Sequence, residues 1–192
     1  LMRSSAASDV YKRQMDILIS SNLERLLYLL TGEDDKQIKE WFGSLAKDGK
    51  YEVTEDVKKI LSEEFSAGFC DDSQTKATIK EIFDKYSYTC DTHTAVAVKV
   101  YEDYKARTGD NTKTIIASTA SPYKFSASVL EAIEGKTSDL DEYDKVDKVL
   151  EYSRIPVPAS LAALKNKEQR FSKVIDKSEM KSFVLQDFGI AE

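Results

Sequence analysis

One histidine, two cysteines, three prolines and seven glycines are spread thinly over this chain. A single histidine and two cysteines with no CxxC pair, Cys70 and Cys90, supply too few ligands for a structural zinc site. The glycines do not cluster, so no glycine-rich loop is available to cradle a phosphate. No apolar run approaches the roughly 20 residues that a bilayer crossing needs. No stretch has the basic, apolar, small-residue order of a secretory signal either, and the expected location is the cytoplasm. Positive charge is not in excess: the formal net charge is -6 and the lysines are interspersed with acids, which argues against a nucleic-acid partner. Internal repeats and low-complexity segments are absent.

What is there is an ordinary globular composition, 41% hydrophobic and 32% charged, long enough for one sizeable core. The stretch Thr114-Ile115-Ile116-Ala117-Ser118-Thr119-Ala120-Ser121-Pro122-Tyr123-Lys124-Phe125 changes character halfway. Its apolar half suits a strand buried on both faces, as in a parallel sheet. Small hydroxyl residues follow where the strand would end, and Pro122 biases Ser121 away from helix. Ligands in open α/β sheets sit outside the carboxyl ends of strands, so this segment is either a ligand-facing turn or merely a polar one.

Residues 4 to 14 read as the in-frame translation of a transposase sequencing adapter, and residues 1 to 14 are set aside from fold reasoning as a non-native segment. An adapter joined to Met15 makes the chain, on this reading, a fragment of a longer protein. The apolar run Met15-Asp16-Ile17-Leu18-Ile19 precedes Ser20-Ser21-Asn22, a helix-start signal with Ser21 and Glu24 in capping-box spacing. Ser21, Asn22 and Arg25 either cap and solvate that helix or hold an anion at its amino terminus. Helices are expected over about 34 to 47, 54 to 64, from 71 past Tyr86, and from 91 to Gly109. Phe65 to Cys70 is expected to be a short strand or extended. Trp41 lies at helical spacing with Ile38, Phe42 and Leu45, which marks it as core rather than ligand box. Asp91 or Thr92 caps the helix that carries His93, a position where a lone histidine is a packing or hydrogen-bonding residue more often than a catalyst. A helix from about Ser126, with Ser128 and Glu131 in capping-box spacing, ends at Gly135. Beyond it the acidic and lysine-rich segment leads into a helix through Val146 and Val149. Prolines hold residues 155 to 158 extended. Two short helices follow, around Leu161 to Leu164 and from Ser178.

Three blocks, Met15 to Arg25, Asp91-Thr92-His93-Thr94-Ala95-Val96-Ala97 and the central stretch, together resemble the carboxyl-terminal part of threonine synthase, in that family's order and spacing. The resemblance covers Met15 to roughly Lys167. Thr92 stands where the family usually has proline, which keeps a capping hydroxyl but leaves the helix entry open. The resemblance implies an α/β architecture: the carboxyl-terminal part of a pyridoxal-phosphate enzyme of fold type II, like the tryptophan synthase β chain. It would be helix-rich around a partial parallel sheet, with residues 15 to 134 in the cofactor-binding catalytic domain and 135 to 192 a helical appendage. It implies pyridoxal 5'-phosphate as cofactor, O-phosphohomoserine and water as substrates, and L-threonine and phosphate as products. The Schiff-base lysine of the family follows a phenylalanine and precedes an aspartate. Phe-Lys-Asp does not occur here, and Lys124, after Tyr123, is not its counterpart. The resemblance places Thr119, or else Ser118, at the pyridine nitrogen, and Ser21, Asn22, Arg25 and Lys124 near the substrate, Lys124 alternatively in a structural ion pair. Two further readings remain: a threonine-synthase-like phospholyase forming 2-oxobutyrate, and a non-catalytic helical interaction module. The oligomeric state is not legible.

Overall fold

A computed structural model describes residues 19–168, 170 and 172–190. The adapter-derived segment and the run Met15 to Leu18 lie outside the described residues. Contacts divide the chain into two compact units, up to Ser153 and from Arg154 onward.

Three helices open the first unit: α1 (Ser21–Leu30), α2 (Asp35–Asp48) and α3 (Glu55–Glu64). The starts of α1 and α2 are each set by a local polar residue satisfying orphan N–H groups of the first turn, while Thr54 ahead of α3 makes no side-chain cap bond. Ser20 Oγ accepts from Leu23 N at 3.3 Å, and one Asp34 carboxylate oxygen accepts from Lys36 N and Gln37 N. The cap of α1 is therefore Ser20, one residue before the predicted Ser21–Glu24 box. Gly49 ends α2 at a φ of 71°, the left-handed conformation in which a Cβ would be strained. The apolar stripes meet in a cluster of Leu27, Ile38, Trp41 and Val57, with Tyr51 stacked on Phe42 at 5.5 Å and on Trp41 at 6.3 Å. Burying each of the four aliphatic or aromatic side chains contributes roughly 1.5–3 kcal/mol.

Four more helices complete this unit: α4 (Asp72–Tyr86), α5 (Thr92–Thr108), α6 (Ser126–Glu134) and α7 (Glu142–Ser153). A full capping box starts α4, with Gln74 N donating to Asp71 Oδ1 and Asp71 N to Gln74 Oε1. The helix α4 packs on α5 and α6, and α6 packs on α7. Ile79, Val129, Leu130 and Val149 are fully buried there. Lys76 pairs with Glu131 between α4 and α6 at 2.6 Å, and Phe83 meets Tyr152 edge-on at 5.7 Å. The start of α6 is not the predicted Ser128–Glu131 box: a 3-10 turn, Pro122–Phe125, feeds directly into Ser126, which is buried.

The predicted partial parallel sheet is not present: no strand occurs among the described residues. Residues 109 to 119 run without regular structure, Ile115 is 95% exposed, and Phe69 in the other expected extended segment is 88% exposed. A strand exists only where its N–H and C=O groups ladder with a neighbour. An apolar run with turn signals on either side identifies a segment able to pair, not the partner, and here no described segment supplies one.

In the second unit α8 (Ala159–Ala162) runs into a 3-10 turn over Ala163–Asn166, and α9 (Met180–Asp187) follows a turn boxed by Asp176 and Glu179. Neither helix buries a residue, and Lys173 lies over the Phe183 ring at 4.5 Å. Among the described residues no helix is long and apolar enough to cross a membrane.

Candidate functional site

The amino terminus of α5 and the central stretch form one constellation. Asp91 is 1% exposed and caps α5: Oδ1 accepts from His93 N at 2.8 Å and Thr94 N at 3.1 Å. That choice between Asp91 and Thr92 as cap goes to the carboxylate, whose two acceptor oxygens serve more donors at a positive helix end. Its Oδ2 accepts from the Thr94 hydroxyl. The same Thr94 oxygen lies 3.0 Å from Ser118 Oγ, so the hydroxyl stretch is tied to α5 across 24 residues of sequence.

Three further features hold the stretch in place. At the exit of α5, Asp110 takes bonds from the Tyr104 hydroxyl at 2.9 Å and Thr112 N at 2.9 Å, which turns the chain back toward the helix start. At the other end Tyr123, 4% exposed, reaches Ser153 Oγ of α7 at 2.6 Å. The His93 ring packs on Phe125 with centroids 4.9 Å apart. Its Nδ1 is buried, 3.6 Å from Asp91 Oδ1, and has no hydrogen-bond partner among the described residues, so the ring serves packing rather than a hydrogen bond from that nitrogen. Beside Asp91, burial first and the carboxylate second push the Cys90 thiol up to about 12, which keeps it neutral and unreactive.

Among the sequence-derived candidates, Ser118 and Thr119 are both exposed, and only Ser118 has a hydrogen-bond neighbour among the described residues. Lys124 is exposed, lies 5.5 Å over the Phe125 ring and makes no ion pair among the described residues. Ser21, Asn22 and Arg25 are exposed on the first turns of α1, where Arg25 Nε donates to the Ser21 carbonyl at 3.3 Å. No hydrogen bond among the described residues joins that group to the central stretch. Thr94 was not among the candidates drawn from sequence, although the Asp91-x-x-Thr94 spacing at a helix start is a visible signal. A groove of about 280 Å³ between α4 and α5, lined by Ile82, Tyr86, Tyr101 and Ile116, also touches Thr94.

No group of histidine, cysteine and acidic side chains able to hold a metal occurs among the described residues. For a pyridoxal cofactor, the free Thr119 hydroxyl fits the ring nitrogen, which accepts one neutral donor. Among the described residues the phosphate end finds no counterpart, because glycines such as Gly49, Gly109 and Gly135 end helices at positive φ and form no nest.

The family model described as "Threonine synthase, C-terminal" matches residues 94–184. Threonine synthase of Saccharomyces cerevisiae is 34% identical over 162 residues, covering 77% of this chain and 32% of the yeast protein. Human threonine synthase-like 1 is 29% identical over 170 residues, 88% of this chain and 22% of the human protein. The crystal structure of PLP-bound threonine synthase from Brucella melitensis superposes with a TM-score of 0.56 at 30% identity, covering 74% of this chain and 30% of that one. The chain thus spans between about a fifth and a third of the length of these relatives. With its hydroxyl stretch, its Asp91 block and these relatives all pointing one way, the chain belongs to the threonine synthase family, whose carboxyl-terminal part it matches.

Proposed function

We propose that the protein carrying this segment is a cytoplasmic threonine synthase that converts O-phosphohomoserine and water to L-threonine and phosphate with pyridoxal 5'-phosphate. The observation that carries the reading is the exposed hydroxyl pair Ser118–Thr119, tethered through Thr94 to a buried carboxylate, in a chain whose relatives are threonine synthases. When bound, the cofactor supplies an electron sink for carbanion chemistry. The role of this chain is to set how strong that sink is. Thr119 would offer a neutral hydrogen bond to the ring nitrogen and so leave it largely unprotonated, where a carboxylate would hold it protonated. Lys124, with no carboxylate paired to it among the described residues, would offer its ammonium to the substrate's phosphate or carboxylate. Ser21, Asn22 and Arg25, at the amino terminus of α1, offer hydroxyl, amide and guanidinium groups to an anion.

The test is product analysis with the full-length protein and O-phosphohomoserine: threonine and phosphate in equal amounts support the reading, and 2-oxobutyrate would assign the protein to the phospholyase branch instead. Thr119→Val removes the hydroxyl that would meet the ring nitrogen, with an expected loss of about 0.5–1.5 kcal/mol in cofactor binding or transition-state energy, visible in cofactor retention and in kcat/KM.

A further inference from the structure

Ser118 and Thr119 are adjacent, exposed and chemically alike, and proton counting separates them. A hydroxyl donates one hydrogen bond and accepts two. Thr94 Oγ1 has two neighbours in reach, Asp91 Oδ2 and Ser118 Oγ, and one proton for them. The contact with Asp91 is the shorter, 2.5 Å against 3.0 Å. It is also charge-assisted, and the carboxylate is buried where an unmet lone pair is costly. The proton of Thr94 therefore goes to Asp91. Its oxygen is left as an acceptor, and the hydroxyl that faces it among the described residues, with a proton to give once Thr94's own is spent on Asp91, is Ser118.

We infer that Asp91 and Thr94 are positioning residues that hold the Ser118 proton inward, so that Ser118 meets a bound ligand only as an acceptor and Thr119 is the donor of the pair. This rests on the reading that the stretch faces the pyridine ring, and it deepens that reading: the neighbouring hydroxyl is kept from competing for the ring nitrogen. The device lies two residue contacts away from the ligand. It acts through hydroxyl direction rather than through contact.

The experiment uses the full-length protein loaded with pyridoxal 5'-phosphate labelled with 15N at the ring nitrogen, and reads the 15N resonance and the absorption maximum. Thr94→Val removes the acceptor, frees the Ser118 proton to turn outward, and shifts the resonance toward the more strongly hydrogen-bonded end. Asp91→Asn gives the same shift without deleting side-chain volume, because its amide donates to Thr94 and reverses the chain of bonds. Thr94→Ser keeps the hydroxyl and leaves the resonance in place. Ser118→Ala alone leaves it in place as well, and Thr94→Val combined with Ser118→Ala returns it to the wild-type position. A structural role for Thr94 would make the double variant at least as displaced as Thr94→Val. That outcome, or a Ser118→Ala shift as large as that of Thr94→Val, overturns the inference. Thr119→Val reports on the underlying reading separately: an unmoved resonance there removes Thr119 from the ring nitrogen, while the pattern across the Thr94 and Ser118 variants still decides which way Ser118 points.

Discussion

The cluster of α1 to α3 and the constellation around the start of α5 are built from the same kinds of residue, used in opposite ways. In the first, polar side chains cap helix ends at the surface and the apolar ones, Leu27, Ile38, Trp41 and Val57, are buried. In the second, Asp91 is 1% exposed, Thr89 3% and Ser126 4%, while Ile115 is 95% exposed. Exposed apolar residues alone are unremarkable on a protein surface, but a buried carboxylate with its donors in place beside an exposed apolar segment is not what packing alone selects. The first region is organised for stability, the second for presenting groups.

The largest expected effect tests the first half of that comparison. Trp41→Ala should destabilise the chain by about 3–5 kcal/mol in urea unfolding, because the ring fills the centre of the cluster under Tyr51. A loss below 1 kcal/mol would mean that α1 to α3 do not share a core. Asp91→Ala comes next. It removes a cap that serves two N–H groups and takes the charged acceptor from the Thr94 hydroxyl, for a combined cost of about 2–4 kcal/mol, against about 1 kcal/mol for Asp34→Ala at the solvent-exposed cap of α2. Equal losses at the two caps would erase the distinction between a surface cap and a buried polar centre.

A smaller effect comes from Cys90. Its thiol ordinarily ionises near 9.0 and is held up to about 12 in the folded chain, so the folded state keeps a proton that the unfolded state has lost. Stability from this group is fully present below pH 9 and falls by about 1.4 kcal/mol per pH unit between 9 and 12. The difference in unfolding free energy between the wild type and Cys90→Ala, measured from pH 8 to 11, should be flat and then decline; a flat line throughout would place the thiol in water. The smallest effect belongs to Ile115→Ser, expected to change the stability of the chain by less than about 0.5 kcal/mol, while the same change at the fully buried Ile79 costs several. A large loss at Ile115 would show that the central stretch is packed after all.

The α1 to α3 cluster was legible almost to the residue, because caps, glycine stops and apolar spacing are local signals and the cluster uses nothing else. For the candidate site, the sequence supplied residues and not their contacts. The block residues pointed to Ser118, Thr119 and Lys124, but Thr94 was passed over, since a threonine in a first helical turn reads as an ordinary capping neighbour until a distant hydroxyl is seen beside it. The strand expected at Thr114 to Ala117 failed for a related reason: pairing is a property of two segments, and one of them was assumed.

By itself the sequence determined which segments are helical, to within a residue or two where most of them begin and end, which faces are apolar, and the family that the hydroxyl stretch resembles. All of these depend on neighbours within about four residues or on order along the chain. Only the tertiary structure decided that Ser118 is bound to Thr94 across 24 residues, that Asp91 is buried, that Lys124 has no ion-pair partner among the described residues, and that Ile115 lies open. Those facts depend on which helices meet, and hydrogen-bond direction and burial come into being only when they do.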